Sequence, residues 1–199
     1  MDKKRRFNTR MIATTGVLTA IEIVLQVIGN YVVPGGFTSL NFSLIIITLG
    51  AMLYGPVVGG FLGFVSGTMT ILAPSTLSYF YSVSPFGTIL TCLLKTTLAG
   101  VVAGLIMMLF KKYNKRTTGS IIASILVPIV NTGIFAIFCL VFFMDLLTKD
   151  MAVVTPQNIA SALFLGMIGV NFIFEILTTA IVSPSLLKIM DQVSTKKEE

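Results

Sequence analysis

Long apolar runs separated by short polar breaks set the pattern of the chain. The first run extends from about Met11 to Val33 and is interrupted only by Glu22, Gln26 and Asn30. The stretch from Val32 to Asn41, with Pro34, Gly35 and Gly36, reads as a turn or loop. A second run, Phe42 to Tyr54, is cut from a third, Val57 to Ala73, by Gly55-Pro56, which predicts a tight helical hairpin. Pro74 to Pro85 reads as a polar, aromatic loop. A fourth run covers Phe86 to Phe110, the charged connector Lys111–Arg116 follows, and a fifth run covers Ser120 to Leu147. Beyond a loop at Thr148–Pro156, a sixth run extends from Ile159 to Leu187, with Pro184 near its end. A spanning helix needs roughly 20 mostly apolar residues. The pattern therefore predicts an all-α integral membrane protein with six transmembrane helices, the second and third of them short. The chain 1–199 reads as a single six-helix membrane domain with short charged tails at 1–10 and 191–199.

Composition closes off the other classes. Of the 199 residues, 55% are hydrophobic and 11% charged, whereas a soluble domain carries about 25% charged residues. A soluble chain of this length cannot hide so much apolar surface in one core. Disorder and a secreted disulfide scaffold are excluded on the same grounds. The two cysteines, Cys92 and Cys139, both lie in apolar runs, and no metal-ligand spacing is present. The first run is too long for a signal peptide and no small-residue cleavage site follows it, so it is kept as a span.

The net charge of +6 reads as topology rather than as nucleic-acid binding. Lys3, Lys4, Arg5, Arg6 and Arg10 precede the first span, Lys111, Lys112, Lys115 and Arg116 lie between the fourth and fifth, and Lys188, Lys196 and Lys197 follow the sixth. With six spans, all three clusters fall on one side, and the uncharged loops 34–41 and 74–85 fall on the other. This is the positive-inside pattern, with both termini cytoplasmic. Merging the second and third spans would put the clusters on opposite sides, so the charges support the Gly55-Pro56 turn.

Chemistry of the enzymatic kind is missing. There is no P-loop, no His-Glu-x-x-His and no Gly-x-Ser-x-Gly, and the chain has no histidine. Gly63-Phe-Val-Ser-Gly67 has the wrong spacing for a nucleophile elbow and reads as close helix packing. A binding or transport protein with no catalytic residue, metal or cofactor of its own is expected.

Three ionisable residues sit inside apolar runs: Glu22, Lys95 and Glu175. Each is a functional candidate because charge is costly in lipid. Lys95 lies about nine residues from the outer end of its span, roughly 14 Å deep at 1.5 Å per residue. It either pairs structurally with Glu22 or Glu175 or anchors an anionic ligand, for which a point-charge ammonium suits a single carboxylate. Asn131, in Val127-Pro-Ile-Val-Asn-Thr-Gly133, is either glue between helices or a ligand contact. Asn171 reads as structural. Tyr79, Tyr81, Ser84 and Phe86 of one outer loop are membrane anchors or a lid over an outward-facing pocket, with Tyr31 and Asn41 facing them from the other outer loop. On the first span, Gly16 and Ala20, flanked by Ala13, form a small-residue face that lets another helix approach closely.

Four segments carry a resemblance: Gly16-Val-Leu-Thr-Ala20-Ile-Glu-Ile-Val-Leu25, Leu49-Gly-Ala-Met-Leu-Tyr-Gly-Pro56, Ser84-Pro-Phe with the following Cys92-Leu-Leu-Lys95, and Pro128-Ile-Val-Asn-Thr-Gly-Ile-Phe135. Over nearly its whole length the chain resembles the substrate-binding S components of energy-coupling factor (ECF) vitamin transporters, most of all the pantothenate type. The resemblance implies high-affinity vitamin binding near the outer face. It implies assembly in a bacterial plasma membrane with a transmembrane coupling subunit, EcfT, and two cytoplasmic ATPases, EcfA and EcfA', which bind the ATP and Mg and drive toppling of the S component. It also implies that the small-residue face of the first span docks on the coupling subunit. Here Gly16 and Ala20 stand where the family usually has Ala-xxx-Ala, and Glu22 is an extra charge beside that face. For pantothenate, Lys95 would take the carboxylate and Asn131 the amide or a hydroxyl. Pyridoxine, hydroxymethylpyrimidine and folate are the alternative vitamins. A self-sufficient ion-coupled carrier and a structural membrane protein are the alternative functions.

Overall fold

The computed structural model describes residues 9–31, 41–144 and 169–195. Among them are six α-helices: α1 (Thr9–Tyr31), α2 (Ser43–Tyr54), α3 (Pro56–Ile71), α4 (Pro85–Lys112), α5 (Arg116–Phe142) and α6 (Gly169–Thr195). The loop expected at Thr148–Pro156, most of the one at Val32–Asn41 and the start of the sixth run lie outside the described residues.

Four helices, α1, α4, α5 and α6, are long and apolar enough to cross a membrane, and the protein is a multi-pass membrane protein. The two members of the hairpin are shorter. At 1.5 Å per residue, the 12 residues of α2 extend about 18 Å, against a hydrocarbon core of roughly 30 Å. α2 is nonetheless the centre of the bundle. It packs against α1, α3, α4, α5 and α6, and every residue from Ser43 to Met52 is buried. That is why its sequence is apolar all round rather than on one face.

The hairpin turn is at the expected place. Gly55 has φ 95°, a conformation that a side chain would strain, and its N–H closes α2 on the Ala51 carbonyl at 2.8 Å. Pro56 then opens α3 at the first helical position, where its missing N–H costs nothing.

α3 and α4 are joined backbone to backbone. A methyl group placed on Gly63 would overlap the Thr96 carbonyl, one on Gly67 the Cys92 carbonyl, and Gly59 and Gly100 stand against each other. The closeness lets the Thr96 hydroxyl donate to the Gly63 carbonyl at 2.6 Å. The Gly63–Gly67 string is thus a packing seam.

Two stretches depart from the sequence expectation. Thr76–Tyr81, expected as loop, is a wide helical segment of the π type. The last helix passes through Pro184 and continues beyond Leu187 to Thr195. Its final turns carry Lys188, Asp191 and Gln192, which need no lipid-facing surface at the end of the bundle, and Asp191 pairs with Arg116 at 2.7 Å.

The ends sort by charge. Lys111 reaches the Met52 carbonyl near the C-terminus of α2 at 3.0 Å, and Arg116 at the start of α5 meets Asp191 near the end of α6. The C-terminal ends of α2, α4 and α6 therefore share one basic end with the start of α5. The C-terminal parts of α3 and α5 and the N-terminal parts of α2, α4 and α6 meet at the other, where the cavity lies.

Candidate ligand-binding site

At this other end a cavity opens between α1, α3, α4, α5, α6, the residues that lead into α2 and the Thr76–Tyr81 segment. α4 contributes a polar stripe. Thr88, Thr91, Cys92 and Lys95 line the cavity, and their spacing keeps them on one helical face. α5 supplies Asn131, Thr132 and Phe135, and α6 supplies Asn171, Phe172 and Glu175. Gln26, Asn41 and Thr70 complete the wall, with Gln26 fixed by donating to the Thr70 hydroxyl at 2.9 Å.

One flank is an aromatic cluster. Phe80 is 7% exposed and meets Phe135 and Phe143 edge-on, at centroid distances of 5.9 and 5.2 Å. The Lys95 ammonium stands 5.0 Å from the Phe135 ring centroid, within cation–π range. The cluster gives the ammonium an aromatic partner that carries no formal charge of its own.

Of the two readings of Lys95, the structural ion pair is not seen among the described residues: Lys95 makes no ion-pair contact with Glu22 or Glu175. Glu175 does share the cavity with Lys95 and feels its charge, while the Thr132 hydroxyl and the Asn41 backbone N–H face its carboxyl. Glu22 does not line the cavity. Asn131 is 4% exposed, and its side-chain oxygen has no hydrogen-bond partner among the described residues. Among the described residues the site thus offers one cation, one carboxylate, several amides and hydroxyls and an apolar aromatic side. It can hold a small molecule with an anionic end, hydrogen-bonding groups along its length and an apolar portion.

The residues proposed from the sequence divide into two sets. Lys95, Asn131 and Asn41 line the cavity; Tyr79, Tyr81, Ser84 and Phe86 do not. Ser84 is the N-cap of α4: its hydroxyl accepts from the Gly87 N–H at 3.2 Å, and Pro85 follows at the first helical position. Phe86 is 70% exposed and packs on Phe142 outside the cavity. Tyr79 and Tyr81 flank Phe80 in a helical segment, so when Phe80 points inward they point out. Tyr31 ends α1, and its side chain lies outside the described set. Residues that the sequence reading passed over include Gln26, Thr88, Thr91, Phe135, Phe143 and Phe172, and it treated Asn171 as structural.

The small-residue face of α1 points away from the bundle. Ala13, Gly16 and Ala20 are exposed, and a methyl group added at Gly16 would meet nothing within the chain. Ile12, Val17, Ile21 and Val24 extend the same exposed apolar surface.

No curated protein sequence gives a significant match. Residues 10–187 match the family described as ECF transporter, substrate-specific component, a match that runs from the start of α1 into the last turns of α6. The chain belongs to this family of transporter substrate-binding subunits.

Proposed function

We propose that the chain is the pantothenate-binding subunit of an ATP-driven importer in a bacterial plasma membrane. The observation that carries the ligand assignment is Lys95, an ammonium in the cavity wall with an aromatic neighbour and no carboxylate paired to it among the described residues. A ligand carboxylate satisfies it best, since a desolvated cation favours an opposite charge. Glu175 and the Asn131 oxygen accept hydrogen bonds, which suits a ligand that also brings hydroxyl and amide donors. Pantothenate has one carboxylate, one amide and two hydroxyls, and its branched methyl groups suit the Phe80–Phe135–Phe143 side.

In this reading six helices cross the membrane, both termini are cytoplasmic, and the cavity faces outward. The exposed Ala13–Gly16–Ala20 face docks on the coupling subunit EcfT, and EcfA and EcfA' bind ATP and Mg. The test is calorimetric titration of the purified chain in detergent with pantothenate and with pantothenol, in which a hydroxyl replaces the carboxylate. Wild type should prefer pantothenate strongly, and Lys95→Met should lose the preference. Equal binding of the two by wild type would refute the carboxylate anchor. Binding of neither would refute the vitamin assignment, and native mass spectrometry of the purified protein would then show which small molecule it carries.

A further inference from the structure

Two of the amides that line the cavity, Gln26 and Asn41, are tied to hydroxyls of the α2–α3 hairpin. Gln26 is held from α3. Its side-chain Nε2 donates to the Thr70 hydroxyl at 2.9 Å, and that hydroxyl donates to the Ser66 carbonyl at 2.9 Å. A threonine has one hydroxyl proton, so Thr70 meets Gln26 only as an acceptor. Turning the Gln26 amide over would set two acceptors face to face. The side-chain oxygen of Gln26 is therefore the atom left for the cavity.

Asn41 is held in the opposite sense. The Ser43 hydroxyl donates to the Asn41 side-chain oxygen at 2.5 Å. With its single proton spent there, Ser43 can only accept in its 2.7 Å bond with the Ser66 hydroxyl, so Ser66 is the donor. Both serines are fully buried, and neither lines the cavity. Turning the Asn41 amide over would require both hydroxyls to reverse together inside the contact between α2 and α3. The side-chain N–H groups of Asn41 are therefore left for the cavity. Ser66 serves both ties, one through its carbonyl and the other through its hydroxyl.

We propose that Ser43, Ser66 and Thr70 are positioning residues that set the polarity of the ligand site, with Gln26 presented as an acceptor and Asn41 as a donor. This assignment rests on the cavity being the ligand site, and it adds what the ligand must bring. A hydrogen-bond donor such as a hydroxyl goes to α1, and an acceptor such as a carbonyl or hydroxyl oxygen goes to the residues that lead into α2. Amides free to turn would take either polarity at either place. Held amides discriminate, because the wrong group leaves a buried polar atom unpaired.

NMR of the purified chain, isotope-labelled in its glutamine and asparagine side chains, tests the ties without ligand. The two signals are assigned by their loss in Gln26→Ala and Asn41→Ala. Ser43→Ala should move the Asn41 signal and leave Gln26 in place, and Thr70→Val should do the reverse. On addition of pantothenate, the Asn41 amide protons should move downfield, as donors that gain an acceptor, while those of Gln26 stay. The opposite pattern would overturn the assigned polarity. Calorimetry reads the ligand side. Ser43→Ala and Thr70→Val should each lower pantothenate affinity roughly 2- to 10-fold, as for one hydrogen bond. Ser43→Ala should lower it no further in a chain that already carries Asn41→Ala, nor Thr70→Val in one that carries Gln26→Ala. An equal loss with and without the amide would overturn the proposal, since the hydroxyls would then act on the fold or, for Thr70, on the ligand directly. Wild-type affinity in the single variants would overturn it too. If Ser43→Ala does not fold, Ser66→Ala loosens the same tie one bond further from the cavity and takes its place. If wild type binds no pantothenate, the vitamin assignment fails, and the ligand-free signals still decide the ties: Asn41 unmoved by Ser43→Ala, or Gln26 unmoved by Thr70→Val, would overturn the proposal.

Discussion

Gly16 and Gly63 give opposite answers to the same substitution, and the contrast tests the assignment of the α1 face. At Gly63, an added methyl group would overlap the Thr96 carbonyl and crowd the Thr97 backbone. Backbone cannot rotate aside, so α3 and α4 must separate. Overpacking of this kind costs about 1–3 kcal/mol. Separation also stretches the bond from the Thr96 hydroxyl to the Gly63 carbonyl, worth about 0.5–1.5 kcal/mol. Gly63→Ala should therefore destabilise the isolated chain by about 1.5–4.5 kcal/mol, the sum of the two. At Gly16 the added group meets nothing, so Gly16→Ala and even Gly16→Leu should leave the isolated chain within about 0.5 kcal/mol of wild type, as for a surface substitution. Unfolding of each variant in detergent measures these values. Co-purification with the coupling subunit measures docking, and there the order should invert for Gly16→Leu: a stable, ligand-binding chain that no longer assembles. A Gly16→Leu chain that loses stability as Gly63→Ala does would show that the α1 face packs within the chain and would refute the docking assignment.

Three further outcomes follow from the same geometry. Lys95→Met should weaken pantothenate binding by about 2–5 kcal/mol, as when one member of a buried charge pair is truncated, and Asn131→Ala should cost less, about 1–3 kcal/mol for an unsatisfied partner; calorimetry on folded variants checks both. Single cysteines at Thr38 and Ser78, in a chain whose buried Cys92 and Cys139 are replaced by alanine, should label from outside the cell, and one at Asn114 should not. External labelling at Asn114 would overturn the orientation. Arg116→Ala should change stability by less than about 1 kcal/mol in detergent unfolding, because its bridge to Asp191 is solvent-exposed and exposed pairs contribute little.

Helix positions were legible because lipid demands long apolar runs and because Gly55 and Pro56 mark the hairpin with residues that few other conformations need. The site was legible only where polarity stood out against lipid. Lys95 and Asn131 are conspicuous in apolar sequence, and both line the cavity. Phe135, Phe143 and Phe172 are not conspicuous, since a phenylalanine facing a ligand and one facing lipid read alike. A signal was there to be used in α4: Thr88, Thr91, Cys92 and Lys95 recur at helical spacing, one polar stripe on an apolar helix. The outer aromatics stayed open for a related reason. Tyr79 and Tyr81 read equally as membrane anchors or as a lid, and only the helical winding of 76–81 decides that Phe80, between them, is the one to enter the cavity. Ser84-Pro85 resembled a binding motif and is a helix cap, a role that the Ser-Pro pair at the head of an apolar run also predicts.

The glycine seam between α3 and α4 bears on how a ligand gets in and out. Because the two backbones touch, neither helix can slide or tilt against the other without breaking many contacts at once. They form one stiff panel, and the panel carries Thr70 and the Thr88–Lys95 stripe as a fixed template. In the proposed binding role, exchange of the ligand would come from the elements not welded to it. The Thr76–Tyr81 segment connects the two helices of the panel and sets Phe80 into the cavity wall, so it is the element to test for displacement while the charge proposed to read the ligand stays where it is.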